Sequence, residues 1–183
     1  MIKLVTMSML LYSFIGHAQV CITEAVDPER EIDPEERFEI NDTVGVVLDK
    51  STGLMWQQCE VGLNYTAENK ACSGSSQRLT WQQALLVAND NNHASYTDWH
   101  VPNIKELASI IDHSCASPAL ADLELGIFLL SDELLSGNEG YYWSNTTVSL
   151  EPEYAWAFQI SDGKNRYLKK TQTGRLRLVR YAK

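Results

Sequence analysis

Cationic residues are scarce: 15 Lys and Arg stand against 24 Asp and Glu, a net charge of -9. That balance argues against a nucleic-acid binder working through overall charge, because neutralising phosphates needs a cationic surface. Long apolar runs are scarce too. The most apolar stretch, Leu4 to Ile15, has 12 residues, whereas a membrane-spanning helix needs roughly 20. There is no nucleophile elbow and no metalloprotease helix motif, and His93, His100 and His113 sit in no recognisable catalytic pattern. His100, just before a helix start, reads as a structural contact rather than a base. No internal repeat of useful length occurs. At 183 residues the chain has room for one or two small domains and not for a large enzyme. An apolar share of 44% with 21% charged is ordinary for a folded domain and too apolar for a disordered one.

Met1-Ile2-Lys3, the apolar stretch and then Gly16-His17-Ala18 have the layout of a secretory signal peptide over residues 1–18. The mature chain is expected to start near Gln19, leaving 14 cations against 24 acids, or -10. Cys21 stands where a lipid anchor would, but Val20 before it is larger than lipoprotein processing prefers. All four cysteines, Cys21, Cys59, Cys72 and Cys115, survive cleavage. An even count in an exported chain reads as disulfides. Cys59 and Cys72 flank a short polar loop and are paired on that ground, which leaves Cys21 for Cys115. A zinc site competes, but it needs clustered ligands, and only His113 and Cys115 are neighbours.

Residues 22–42 carry nine acids, two bases, Pro28 and Pro34, so residues 19–36 read as an acidic, poorly ordered leader. Val44 to Trp56 reads as a hairpin turning at Asp49-Lys50-Ser51-Thr52-Gly53. Thr80 with Gln83 forms a capping box, followed by Trp81, Ala84, Leu85 and Ala88 at helical spacing. Asn103 and Glu106 form a looser pair before Ile104, Leu107, Ala108 and Ile111. Residues 116–140 are hard to read. After them, Tyr141–Val148, the alternating Tyr154, Trp156, Phe158 and Ile160, the turn Ser161-Asp162-Gly163, and Leu176 and Leu178 alternating with Arg175 and Arg177 all read as strands. Two short helices packed on antiparallel sheets make an α+β single domain over residues 37–183.

Thr52-Gly53-Leu54-Met55-Trp56, Cys59, Cys72 and Trp81-Gln82-Gln83-Ala84 form the first part of an ordered motif set. It continues through Tyr96-Thr97-Asp98-Trp99, Pro102-Asn103-Ile104-Lys105-Glu106-Leu107, Tyr142-Trp143-Ser144, Ala155-Trp156, Asp162-Gly163 and Arg177-Leu178-Val179-Arg180. This set resembles the C-terminal domain family of the Legionella collagen-like adhesin (Lcl), formerly a domain of unknown function, over roughly residues 37–182. The chain departs from the pattern at His100-Val101-Pro102, at Asn41-Asp42-Thr43-Val44-Gly45 and across 122–140. The resemblance implies a disulfide-stapled fold akin to the C-type lectin and formylglycine-generating enzyme group. It supports the Cys21–Cys115 pairing, and it implies adhesion, since the best-known member recognises sulfated polysaccharides. It also marks Arg177 and Arg180 as buried pairing partners.

Glu151-Pro152-Glu153 and Trp143-Ser144-Asn145 resemble the proline loop and tryptophan strand of calcium-dependent lectins. Their order is reversed here, so the match reads as coincidence. No metal and no cofactor is expected. The stronger lead is the acid-free stretch 164–183, where Lys164, Arg166, Lys169, Lys170 and Arg175 are candidate contacts for an anionic glycan. The same charges could instead pair with the acidic leader or keep an edge strand soluble. Trp56, Trp81, Trp99, Trp143 and Trp156 are assigned mainly to core packing. The expected function is an exported, non-enzymatic binding or adhesion module, periplasmic, cell-surface or secreted. Its partner would be an anionic polysaccharide or another surface protein, with no nucleic acid and no membrane span in the mature chain. The alternatives are a structural or accessory subunit of a pilus or envelope assembly, and an oxidase of the formylglycine-generating type.

Overall fold

A computed structural model describes residues 20–21, 34–113, 115–116, 118–120, 126–131 and 140–182. The expected signal peptide, most of the leader and residues 117, 121–125 and 132–139 of the 116–140 stretch lie outside the described residues. The architecture is α+β with mostly antiparallel pairing.

Chain order begins with β1 (Val20–Cys21), a short helical turn α1 (Pro34–Arg37), β2 (Phe38–Asn41), β3 (Val46–Asp49) and β4 (Leu54–Gln57). The predicted hairpin is β3–β4. Its turn is closed by Asp49, whose carbonyl accepts from Gly53 N at 2.8 Å. Gly53 sits at φ 69°, the left-handed region a side chain resists. A hairpin β5 (Leu63–Thr66) and β6 (Ala71–Gly74) follows. Helix α2 (Trp81–Asn89) starts at the predicted box, with Thr80 and Gln83 capping each other. It buries Ala84 and Ala88, whose small size lets the helix approach closely.

Helix α3 (Ile104–Ala108) also has its predicted box, Asn103 with Glu106, but spans only five residues. Ile110 and Ile111 are buried in the turn beyond it rather than on a continued helix. One reason is visible at the end: Arg37 Nη2 donates to the Ser109 carbonyl at 2.6 Å, capturing an orphan acceptor from outside the helix. Then come β7 (Cys115–Ala116), β8 (Tyr141–Val148), β9 (Glu151–Gln159), β10 (Asn165–Lys169) and β11 (Val179–Tyr181).

One sheet runs β11-β4-β3-β2 and the other β10-β9-β8. In the first, register sets Val47 opposite Trp56 and Trp56 opposite Val179. These three side chains form a fully buried row across the sheet. That row joins Phe38, Leu107, Ile110, Phe128, Tyr142 and Phe158 in one core. A second core gathers Ala84, Ala88, Trp99, Trp143, Ala155, Ala157, Leu176 and Leu178. Both expected disulfides are present, Cys21–Cys115 and Cys59–Cys72. The first joins β1 to β7, which pair Cys21 opposite Cys115.

The predicted last strand differs from expectation. Only Val179–Tyr181 is a strand, and Arg175 and Arg177 are as buried as Leu176 and Leu178. The alternation is therefore between two buried environments, not between core and water.

The disulfides close loops with sequence separations of 94 and 13 residues. Chain entropy assigns about 4.5 kcal/mol to the long loop and about 3 kcal/mol to the short one. Replacing Cys21 and Cys115 with Ser is expected to lower the urea-unfolding free energy more than the same change at Cys59 and Cys72. Equal losses would show that the long loop is already restrained in the unfolded chain. A second expectation concerns acid. Burial pushes the Asp49 carboxyl up, but hydrogen bonds from Arg37, Thr52 and Ser51 and the Arg37 charge outweigh it and leave the pKa below its ordinary value. Such a carboxylate stabilises the fold above its unfolded pKa of about 3.9 and withdraws that support as pH falls further. Stability measured from pH 6 to 2 should therefore fall less steeply in Arg37→Gln than in the wild type.

Candidate functional site

The hairpin β9–β10 carries most of the predicted contacts. Its turn is Asp162–Gly163, where the Asp162 carboxylate accepts from Lys164 N at 3.0 Å. Lys164 and Arg166 project from the turn and first residues of β10, and both pair with Asp162, at 3.7 and 3.0 Å. Both pairs are open to solvent on at least one side, and such pairs contribute about 0–1 kcal/mol. Lys169 is exposed, with its ammonium 5.9 Å from the Tyr154 ring centre. Lys170 is more engaged: it lies 4.0 Å over the Trp81 ring and donates to Thr147 Oγ1 at 2.9 Å.

Arg175 is a correction to the predicted set. It is 1% exposed and cannot meet a ligand in solvent. Its Nη1 reaches Glu60 Oε2 at 3.3 Å and Ser131 Oγ at 3.1 Å. Glu60, in the connection between β4 and β5, also accepts from Tyr142 Oη at 2.7 Å, Ser76 Oγ at 2.5 Å and Ser131 N at 3.3 Å. Arg177 lies beside this group. It donates to the carbonyls of Gln57, Gln58 and Leu129, and its guanidinium sits 5.3 Å from the Phe128 ring centre. Burial, then the Glu60 charge, pushes the Tyr142 hydroxyl well above its ordinary pKa, so it stays a neutral donor. Glu60, Ser131, Tyr142, Arg175 and Arg177 are buried, so the chemistry of the cluster is cohesion.

The family-pattern arginines behave as expected. Arg180 makes a forked pair with Asp98, Nε to Oδ1 at 2.6 Å and Nη2 to Oδ2 at 3.1 Å, under the Tyr96 ring. His100 is also structural: it stacks on Tyr181 at 5.4 Å, with Nε2 3.4 Å from Glu106 Oε2. Tyr181 donates to Glu106 Oε1 at 2.7 Å, and that bond, with the Glu106 charge, pushes the phenol up. The lectin-like runs are apart in role: Trp143 and Ser144 are buried in β8, while Glu151, Pro152 and Glu153 are exposed at the start of β9. Among the described residues no grouping of three His, Cys, Asp or Glu side chains could hold a metal ion.

Trp56, Trp99 and Trp143 lie in the core as expected. Trp156 does not. Ala155 and Ala157 take the inward face of β9, and Tyr154 and Trp156 lie only partly buried on the other. Sequence reading missed this aromatic face. Its one signal was the pair of small residues at 155 and 157, which leaves room inside for the ring of Trp143, opposite Ala157.

The family model for the Lcl C-terminal domain matches residues 45–180. No curated protein sequence matches the chain. The chain belongs to the Lcl C-terminal domain family, which makes it a surface-adhesin-like module. Two closed disulfides and that family fit an extracellular or cell-surface location. No helix among the described residues is long and apolar enough to cross a membrane.

Removing one partner of a buried ion pair costs about 3–5 kcal/mol, because the other charge is left uncompensated. Glu60→Ala is expected to lose that much in urea unfolding, and Arg166→Ala less than about 1 kcal/mol. Comparable losses would contradict the assignment of one pair to cohesion and the other to the surface.

Proposed function

We propose that the chain is a non-enzymatic adhesion module that holds an anionic polysaccharide on the β9–β10 hairpin. Family membership supports adhesion. The observation that supports the ligand class is that one hairpin carries three cations, Lys164 and Lys169 exposed and Arg166 half-buried, on a chain that is acidic overall. The carboxylate partner of Lys164 and Arg166, Asp162, is exchangeable: a sulfate or carboxylate can replace it at a cost of about 1 kcal/mol or less. Arg166 offers a planar fork for such a group and Lys164 and Lys169 offer point charges. Lys170 stands at the margin of this set, since its ammonium is already shared by Trp81 and Thr147.

Elution from immobilised heparin in a salt gradient tests the reading. The residue 19–183 protein is expected to bind at low salt and to elute as salt screens the contacts. Changing Lys164, Arg166 and Lys169 together to Ala should move elution to clearly lower salt, while the circular dichroism spectrum stays the same. Flow-through of the unaltered protein at low salt would overturn the proposal.

A further inference from the structure

The outer face of β9 and β10 carries more than charge. Register sets Tyr167 opposite Trp156 and Lys169 opposite Tyr154. Opposed residues share a face, so β10 adds a ring and a cation to the Tyr154–Trp156 side. The Tyr167 ring meets Tyr154 edge to face at 5.6 Å and 83°, and Trp156 at 5.7 Å and 82°. Tyr167 is still 52% exposed. Glu153 is tied to Lys170 through the main chain, its carbonyl accepting from Lys170 N at 2.8 Å, and Asp162 is held in the turn by Lys164 and Arg166. The face carries three rings and one cation.

We propose that this face is a stacking subsite for the pyranose rings of the polysaccharide, an inference that rests on the proposed function. A pyranose presents a patch of C–H groups with partial positive charge, and an aromatic face carries the complementary negative quadrupole. The rings brace one another edge to face, so they need not be ordered when a sugar arrives, which spares the cost of immobilising them. Lys169, beside Tyr154, takes an acidic substituent of a stacked sugar. A protein partner would bury the same apolar surface, but it would not require the rings to be paired with a cation. Cations alone hold any polyanion, whereas this face holds one built from sugar rings.

Two polymers separate these contributions. Heparin is sulfated and made of pyranose rings; poly(vinyl sulfate) is sulfated and has none. Binding of each is measured by competition against labelled heparin for the residue 19–183 protein, for Tyr167→Ala, for Trp156→Ala and for Trp156→Phe. The expected result is at least a tenfold loss of heparin affinity in both Ala variants, no change for poly(vinyl sulfate), and near-normal heparin binding in Trp156→Phe. Tyr167 is the safer site for folding, since half of it already faces water, and near-UV circular dichroism checks each variant. Ala variants that keep heparin binding, or that lose both polymers equally while folded, overturn the stacking subsite and leave the cationic reading standing. An unaltered protein that holds neither polymer overturns both.

Discussion

The structure depends on a charge that water never reaches. Glu60 is 1% exposed and Arg175 likewise, and an isolated ion so buried would cost several kcal/mol in lost hydration. It is tolerable because donors arrive from distant parts of the chain: Tyr142 from β8, Ser131 and Ser76 from connecting segments, and Arg175 from just before β11. Arg177 extends the cluster by tying the end of β4 to Leu129 through three carbonyls. The segment Arg175–Leu178 therefore runs between two cores. Its leucines fill one beside Trp143 and Ala155, and its arginines join the polar cluster against Tyr142 and Phe128. A polar cluster with this many hydrogen bonds favours a single arrangement, since a sheet displacement would strand several donors at once.

The same constraint sorts the cations. The basic tail reads as one class of residue, but burial divides it. Arg175, Arg177 and Arg180 are consumed within the fold by Glu60, by main-chain carbonyls and by Asp98. Lys164, Arg166 and Lys169 stay outside, on contacts that water and salt already weaken. The acidic balance of the whole chain therefore says little about the sign of this one hairpin, because local arrangement, not net charge, sets the field a ligand meets.

Features decided within a few residues were legible in the sequence. Both capping boxes, the Asp49–Gly53 turn and the disulfide pairing follow from local chemistry and cysteine count. The family motif set was legible for the same reason, as a string of such local signals in order. Features decided by what lies across a sheet were not. A period of two shows that Tyr154 and Trp156 share a face but not which face. The choice was made by Trp143 on the neighbouring strand, whose bulk opposite Ala157 excludes a second large ring. Nor does alternation of Leu with Arg reveal that both sides are dry, since the partner that makes this possible, Glu60, lies 115 residues earlier in the chain. The short α3 has a similar cause, because Arg37 reaches its end from 72 residues away.

β10 is the outer strand of its sheet among the described residues, and an outer strand has main-chain groups that another chain could pair with. Lysines and arginines along such an edge discourage that pairing, which is one account of why they are there. The account is compatible with ligand binding, because both uses ask for the same thing: cations that are exposed, mobile and weakly paired. A protective edge does not, however, ask for rings. Tyr167 leaves apolar surface on the edge strand itself, continuous with Tyr154 and Trp156 of the neighbouring β9, and a cation beside Tyr154 does not hide it. Exposed aromatic surface kept at such a position is better explained by an occupant than by solubility.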